Sequence, residues 1–296
     1  MTTYKGEMLE TYERMVEERH SIWLRRQSQD PPPWTTDPIL RNLKMTNMFR
    51  VLDPGSQFVL TDLLCDNPMD FIARCVFYRI TNLPKTWYAI RDQFGRYPKM
   101  QDFLKYDHVL AEMLARYRAE GNKIFSGAYI IIPNPGVAGD KMVDALGLVK
   151  FFMENKAREF LAANSQEERY HILRSTKGLG RFLAMQILTD WGYGQPVNRE
   201  DEFIVAGPGA SRGAALLNPE AAAEHVIKDL AFRIWWDNPL VQINGHGLGL
   251  MNVQNTLCEF SKYAREMKSP RKVTPYKPAH PGWQERPVLP TWMQPC

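Results

Sequence analysis

A short glycine hairpin is the first feature of the sequence whose residue types could do chemistry. Lys177, Gly178 and Gly180 stand directly before a run in which apolar residues recur at helical spacing. Glycine lets the backbone approach a ligand closely, and amides at the start of a helix favour an anion such as a DNA phosphate. The pattern indicates a helix-hairpin-helix DNA clamp. The alternative interpretation is an ordinary turn that opens a helix.

A second glycine turn lies beyond that helix. It contains Gly207, Gly209 and Gly213 around Arg212. Backbone amides beside an arginine can form an anion site, because the guanidinium fork matches the oxygens of a phosphate group. These residues are predicted to bind a phosphate-containing group, unless Arg212 only stabilises the turn.

Carboxylates precede this turn and recur in the last long helical segment. Glu200, Asp201 and Glu202 are consecutive, and each is a candidate general base or part of a solvated acidic turn. In the last helix, steps of three and four residues place four polar side chains on one face, namely Asn252, Asn255, Glu259 and Lys262. This face is either the wall of a site or a salt-bridged surface.

Polar residues also interrupt several apolar helical segments. They are Asn47, Arg50, Asp53, Gln57, Arg79 and Asn82. Burying such groups costs free energy unless partners or a ligand satisfy them. They are predicted to line a substrate site or, alternatively, to form a hydrogen-bond network that only fixes the fold. Trp87 is a candidate for stacking on an extruded base, although a tryptophan after a turn is more often part of the core.

The composition is that of a globular protein with a mildly basic charge. The chain has 296 residues, 44% of them hydrophobic, and a net charge of +4. It has no apolar run long enough to span a membrane and no apolar signal core, which predicts a cytoplasmic protein. The cysteines show no zinc spacing, so neither a disulfide nor a structural metal is expected.

Helical periodicity dominates the chain, so helices are expected to position these residues. Caps, prolines and apolar spacing predict helices through most of residues 1–268, which we interpret as one helical domain. Two proline-rich stretches are predicted to be extended, an N-terminal linker at residues 30–34 and a C-terminal arm at residues 269–296. Residues 128–132 are the best candidate for a strand. A mainly α fold is therefore expected.

The sequence contains no nucleotide-binding loop of the GxxxxGK[ST] type. The nearest approach, at residues 136–141, lacks both the spacing and the hydroxyl residue after the lysine. A GxGxxG motif between a strand and a helix is also absent. The chain is therefore not expected to be the phosphorylating enzyme of a pathway or a nicotinamide enzyme.

Three segments, together with residues 174–213, resemble a known family. They read TNMFRVLD at residues 46–53, FYRITNLPKTW at residues 77–87 and NVQNTLCEFSKYAR at residues 252–265. The resemblance is to the phage and fungal family of alpha-glutamyl/putrescinyl-thymine pyrophosphorylases. That family includes the helical domain associated with 5-hydroxymethyluracil DNA kinases and the amino acid:DNA transferases of bacteriophages. The resemblance implies a helical fold related to helix-hairpin-helix DNA glycosylases and a role in thymine hypermodification.

The reaction that the resemblance implies is the transfer of an amine to DNA. A free amino acid or polyamine attacks the 5-methylene of a pyrophosphorylated hydroxymethyluracil held outside the duplex by base flipping. Arg212 and Lys262 would bind the departing pyrophosphate, and Asp201 or Glu259 would accept the amine proton. Asp201 lies near the position at which related glycosylases keep a catalytic aspartate. Asn47, Arg50, Asp53 and Asn255 would contact the substrate.

The expected partners follow from this reaction. They are double-stranded DNA carrying modified thymine, a free amine and a 5-hydroxymethyluracil DNA kinase, in the host cytoplasm if the protein comes from a bacteriophage. No cofactor is required, although magnesium would help to neutralise the leaving group. Two other functions stay open, a glycosylase-like base excision enzyme and a non-catalytic DNA-binding partner of the kinase.

Overall fold

The computed structural model describes residues 4–127, 140–269 and 286–294, and the fold of these ranges is mainly α-helical. This confirms the predicted fold class at the level of secondary structure. Within the described ranges there is no strand, only an isolated bridge between Ile243 and His246. The strand predicted at residues 128–132 and most of the predicted C-terminal arm lie outside the described residues. None of the described helices is both long and apolar enough to cross a membrane.

The helices are numbered in chain order. They are α1 (Gly6–Gln27), α2 (Pro38–Asn42), α3 (Pro54–Phe58), α4 (Pro68–Thr81), α5 (Pro84–Phe94), α6 (Met100–Lys105), α7 (Asp107–Ala119), α8 (Lys141–Asn155), α9 (Ala157–Ala162), α10 (Gln166–Ser175), α11 (Arg181–Gly192), α12 (Pro208–Leu217), α13 (Ala223–Leu230) and α14 (Leu250–Lys268). Two π-helical segments continue α3 and α13, at Val59–Leu63 and Ala231–Trp235. Single 3-10 turns lie at Arg50–Leu52 and Thr291–Met293.

The chain divides into two compact units where the sequence predicts one domain over residues 1–268. Unit 1 consists of Met1–Asp53, Phe203–Leu289 and Met293–Cys296, and unit 2 of Pro54–Glu202 and Pro290–Trp292. Unit 1 is therefore built from segments far apart in sequence. Helical periodicity reports each helix separately, so it does not reveal this discontinuous arrangement.

Unit 1 is organised around the packing of α12 on α14. A β-carbon at Gly213 would lie 2.1 Å from the backbone oxygen of Leu257, and one at Gly209 would lie 2.3 Å from Cys258 Sγ. These two glycines let the helices approach closely, and Pro208 occupies the first turn of α12. The sequence predicts a glycine turn over residues 206–213, and this prediction is wrong from Pro208 onwards, because these residues form α12 and helix packing requires the glycines there.

Unit 2 has α4 and α11 at its centre. Arg79 of α4 and Asp190 of α11 form a buried bidentate ion pair, in which Nη2 donates to Oδ1 at 2.6 Å. The side-chain oxygen of Asn67 accepts hydrogen bonds from the first amides of α4, and Pro68 follows it. These caps are the start signals that the sequence contains, so the beginning of α4 was predictable.

Candidate functional site

A cluster of polar side chains lies in unit 1, where α14 meets the segment that links α2 to α3. We call it the α14 cluster. Its members are Arg19, Asn47, Arg50, Asp53, Asn252, Asn255, Glu259 and Lys262. Arg19, Asn47, Arg50, Asn252 and Glu259 are buried, whereas Asp53, Asn255 and Lys262 keep partial exposure.

Hydrogen bonds join the cluster residues of α14 to those of residues 46–50. Asn252 Oδ1 accepts the backbone amide of Arg50 at 2.8 Å. Asn255 Nδ2 donates to Thr46 Oγ1 at 3.0 Å and to the backbone oxygen of Asn47 at 3.1 Å. The polar face of α14 predicted from helical spacing is therefore packed against residues 46–50, and most of this face is not a solvated surface.

Arg19 reaches this segment from the middle of α1. Its Nη2 donates to Asn47 Oδ1 at 2.8 Å and to the backbone oxygen of Met45 at 3.3 Å. Asn47 donates its backbone amide to Asp53 Oδ1 at 3.0 Å and its side-chain amide to the Leu52 oxygen at 2.9 Å. Asp53 is thus held by a loop that a buried arginine anchors.

The environment of Asp53 makes its carboxyl group titrate near neutral pH. Burial raises the pKa of Asp53 to about 6. The amide of Asn47 and the charges of Arg50 and Arg19 oppose this rise, whereas the charge of Glu259 adds to it. The carboxyl groups of Asp53 and Glu259 are therefore close enough to interact, with two guanidinium groups also near Asp53.

Glu259 is the most deeply buried member of the cluster. Its residue is 1% exposed, and its Oε1 accepts a hydrogen bond from Lys262 Nζ at 2.6 Å. The other oxygen, Oε2, is excluded from solvent and has no donor among the described residues. Lys262 itself is 38% exposed along its side chain, so the ion pair bridges the interior and the surface.

The predicted anion site around Arg212 is only partly assembled. Arg212 is exposed on α12, and its charge acts on the Cys258 thiol, whose pKa is raised first by burial and then by Glu259. The amide of Gly207 already donates to Gln254 Oε1 at 3.1 Å. Gly209 and Gly213 serve the packing of α12 on α14. Arg212 therefore lies near the α14 cluster, but the three glycines do not form an open nest.

Four of the predicted substrate contacts belong to unit 2, namely Gln57, Arg79, Asn82 and Trp87. Arg79 binds Asp190 and also donates to Asn82 Oδ1 at 3.3 Å. Asn82 ends α4 in the left-handed conformation and donates to Ser126 Oγ at 3.0 Å. Gln57 is half-buried in α3. Arg79 and Asn82 thus belong to a hydrogen-bond network that fixes the end of α4, the alternative considered for these residues.

Trp87 lies in the core of unit 2. Its residue is fully buried, and its Nε1 donates to Thr81 Oγ1 at 3.0 Å. It packs against Phe58, Phe77 and Tyr78. A nucleobase could stack on this ring only if the core opened, so we leave Trp87 out of the proposed site.

Asp201 lies in a local turn of unit 2. Its Oδ2 accepts a hydrogen bond from Asn198 Nδ2 at 2.6 Å, and Asn198 Oδ1 accepts the amide of Glu200 at 2.8 Å. Glu202 pairs with Arg199 at 2.9 Å. Asp201 and Glu202 therefore each accept a hydrogen bond from a side chain three residues earlier in the chain.

The hairpin between α10 and α11 presents cations to solvent. Gly178 has a φ of +99°, a conformation that favours glycine, and a β-carbon there would lie 2.6 Å from Leu148 Cδ1. Leu179 is buried beneath the hairpin, whereas Arg174, Lys177 and Arg181 are exposed. The predicted hairpin residues thus lie in an exposed, basic connection between two helices.

The structure also shows what the sequence analysis missed. Arg19 was not singled out, although it stands at helical spacing with Met15 and Ile22 on the buried face of α1. A charged residue in such a stripe is a signal of a buried polar partner.

Among the described residues, no group of three His, Cys, Asp or Glu side chains is arranged to hold a metal ion. Cys65, Cys75 and Cys258 are free thiols.

These features define a mainly helical protein with a buried carboxylate and guanidinium cluster, and comparison with known proteins identifies its family. A family model described as the helical domain of 5-hmdU DNA kinase matches residues 6–272. The chain therefore belongs to this family.

A curated relative is consistent with this assignment. It is a 5-hmdU DNA kinase of Bacillus phage SP10, which is 25% identical over 238 residues, covering 72% of this chain and 35% of the relative. The chain thus spans about a third of the length of that kinase. No solved structure matches the chain.

Proposed function

We propose that this chain is a thymine-hypermodifying transferase, which replaces pyrophosphate on 5-pyrophosphomethyl-deoxyuridine in DNA with an amine. The observation that carries the proposal is the α14 cluster, in which Asp53 and Glu259 interact within a buried network beside Arg19 and Arg50. A network that only fixed the fold would be expected to neutralise each buried charge by a matched partner. Here one carboxyl group titrates near neutral pH and another has a buried oxygen without a donor among the described residues.

The chemistry needs a base for the incoming amine. Asp53 takes one proton from the ammonium form of the amine, and the neutral nitrogen attacks the methylene carbon at position 5 of the base. The bond between this carbon and the pyrophosphate oxygen breaks, and its electron pair leaves with pyrophosphate. The product is a secondary ammonium group on the base. A pKa of about 6 suits Asp53 to this role, because the group is ionised at neutral pH yet still basic.

The leaving group needs positive charge. Lys262 and Arg212 are exposed or half-exposed cations of unit 1 that act on the Cys258 thiol, and we assign them to the pyrophosphate. Both are long side chains that can follow a departing anion. A magnesium ion would add to the same neutralisation, and repeating the assay with magnesium and with a chelator tests whether it contributes.

Unit 2 would hold the DNA. The hairpin offers Lys177 together with Arg174 and Arg181, and Gly178 keeps the turn tight. Exposed cations on such a hairpin bind the phosphate backbone of DNA without contacting the bases, so this binding is independent of DNA sequence. We therefore assign the hairpin to backbone contacts and assign base chemistry to unit 1.

A second candidate function is favoured by the comparison. The relative is a kinase of which this chain covers 35%, so the family fold also occurs as part of a phosphorylating enzyme. On this basis the chain would be a DNA-binding helical partner of a 5-hydroxymethyluracil DNA kinase, without catalysis of its own.

One assay separates these functions. The protein is incubated with DNA containing 5-pyrophosphomethyl-deoxyuridine and a mixture of amino acids and polyamines, and the DNA is digested to nucleosides for mass spectrometry. A nucleoside with the mass of an amine adduct supports the transferase. Abasic sites with free base would indicate a glycosylase-like enzyme. Unchanged DNA that stays bound to the protein would indicate the non-catalytic partner.

A further inference from the structure

The buried carboxylate of Glu259 has one oxygen that the described residues leave unpaired. The residue is 1% exposed, and Lys262 Nζ occupies only Oε1. Oε2 is buried and has no donor among the described residues. A buried carboxylate oxygen without a hydrogen bond is unfavourable, so a ligand that donates a hydrogen bond to this atom removes that cost.

The chemistry of this carboxylate oxygen selects the kind of donor. Asp53 acts electrostatically on the same region with the same negative sign as Glu259. Arg19, Arg50 and Lys262 supply positive charge that offsets these carboxylates, so the ligand is selected by hydrogen bonding: a carboxylate oxygen only accepts and needs an N–H or O–H donor. A primary ammonium group carries three N–H donors and a positive charge, so it forms a charge-assisted hydrogen bond with the oxygen, which is stronger than one from a neutral hydroxyl group.

We propose that Glu259 Oε2 binds the ammonium head group of the amine co-substrate, and that this contact makes the site specific for primary amines that enter as cations. The inference rests on the proposed function. It assigns Glu259 to recognition, whereas Asp53 takes the proton.

Lys262 is the partly exposed partner of this buried carboxylate, so we infer that a ligand reaches the oxygen when Lys262 moves aside. The lysine side chain is 38% exposed and has four rotatable bonds, so its ammonium group can leave Oε1 for solvent. Once the incoming ammonium has taken Oε2, Lys262 returns to Oε1, and the two cations share one carboxylate. Because Lys262 is also assigned to pyrophosphate, amine binding and leaving-group binding are coupled through this lysine.

The test compares Glu259→Gln with Glu266→Gln. Both are buried glutamates of α14, but Glu266 is not part of the α14 cluster. Glu259→Gln is expected to raise the KM for the amine about tenfold or more, because a charged hydrogen bond is replaced by a neutral one, with a smaller change in kcat. Glu266→Gln is expected to leave the KM for the amine unchanged. An active Glu259→Gln enzyme with the wild-type KM for the amine would overturn the inference and leave the transferase proposal intact.

Ligand-induced thermal stabilisation gives a readout that does not need turnover. Methylammonium should raise the Tm of the wild-type protein in the absence of DNA, whereas tetramethylammonium, which has no N–H donor, should not. Lys262→Met should be stabilised more by methylammonium than the wild type is, because both oxygens of Glu259 then lack a donor. Lys268→Met, an exposed lysine of the same helix, is the control.

These outcomes keep the two proposals separate. If the wild-type protein transfers no amine but methylammonium stabilises it and Lys262→Met as described, the ammonium site stands and the transferase proposal fails. If methylammonium and tetramethylammonium have the same effect on the wild type and on Lys262→Met, the ammonium site is wrong whatever the activity.

Discussion

Arg19 Nη2 donates a hydrogen bond to Asn47 Oδ1 at 2.8 Å, which ties the middle of α1 to the loop that carries Asp53. Asn47 in turn holds the carboxyl group of Asp53, because its backbone amide donates to Asp53 Oδ1 at 3.0 Å. The charge of Arg19 also lowers the pKa of Asp53 against the effect of burial. Arg19 therefore positions the loop and tunes its carboxyl group.

Replacing Arg19 should destabilise the protein. Arg19→Met removes a buried charge-assisted hydrogen bond and leaves Asn47 Oδ1 without its donor, which should lower the free energy of unfolding by about 2–4 kcal/mol. Urea denaturation measures this change. Arg14→Met, at a more exposed position of the same helix, should stay within about 0.5 kcal/mol of the wild type. An equal, small effect of both substitutions would show that Arg19 does not anchor the loop.

His20 should make the protein sensitive to acid. Burial lowers the pKa of His20 from 6.5 to about 4, with a further lowering by the charge of Arg19 and an opposing effect of the Gln242 backbone. Between pH 6.5 and about 4, His20 is therefore protonated in the unfolded state but not in the folded state. Stability is fully present above pH 6.5 and is lost as the pH falls towards 4.

The His20→Phe variant tests this account. The side chain of His20 stacks on Trp23 and contacts Phe49, so phenylalanine can occupy the site without titrating. Between neutral pH and pH 5, the variant should lose roughly 1–2 kcal/mol less stability than the wild type. His171→Gln, at an exposed histidine, should keep the wild-type pH dependence. Parallel curves for His20→Phe and the wild type would contradict the assignment.

The close packing of α12 on α14 predicts a contrast between two glycines. Gly213→Ala would place a methyl group 2.1 Å from the Leu257 oxygen, and backbone cannot move aside cheaply, so the variant should lose about 2 kcal/mol or more. Gly147 lies within α8, and a methyl group added there would have nothing within 4 Å, so Gly147→Ala should gain about 0.5–1 kcal/mol. Thermal denaturation measures both changes. Tolerance of Gly213→Ala would mean that the two helices are further apart than described.

The hairpin predicts electrostatic DNA binding. Lys177→Glu removes one cation and adds an anion at an exposed corner, so affinity for duplex DNA at low salt should fall about tenfold and depend less on salt. Lys105→Glu, the same charge change at another exposed lysine of unit 2, is the control. Fluorescence anisotropy over a salt series measures both. Equal affinities of Lys177→Glu and Lys105→Glu would remove the hairpin from the DNA interface.

The parts of this structure that sequence could predict are those encoded locally. Asn67 and Pro68 predict the start of α4, and the spacing of Asn255, Glu259 and Lys262 predicts one polar face on α14. What this face contacts depends on pairing over about two hundred residues, as in the bond from the Arg50 amide to Asn252 Oδ1. Local periodicity contains no information on such pairing.

One wrong prediction and one alternative left open by the sequence have the same origin. The glycines of α12 are of a type common in turns, but Gly213 is required because the backbone of Leu257 packs against it. Trp87 looks available for stacking until the rings around it are seen. In both cases a residue type that suits a ligand is used for packing, and only the tertiary neighbours distinguish these uses.

Amine transfer can be tested by the stoichiometry of its two products. Wild-type protein and Asp53→Asn are each mixed with DNA containing 5-pyrophosphomethyl-deoxyuridine and an isotopically labelled amine at neutral pH. Released pyrophosphate and the labelled nucleoside are then measured in the same sample. We expect one labelled adduct for each pyrophosphate released by the wild type, and a rate at least about a hundredfold lower for Asp53→Asn. Pyrophosphate release without a labelled adduct, or abasic sites in place of the adduct, would contradict it.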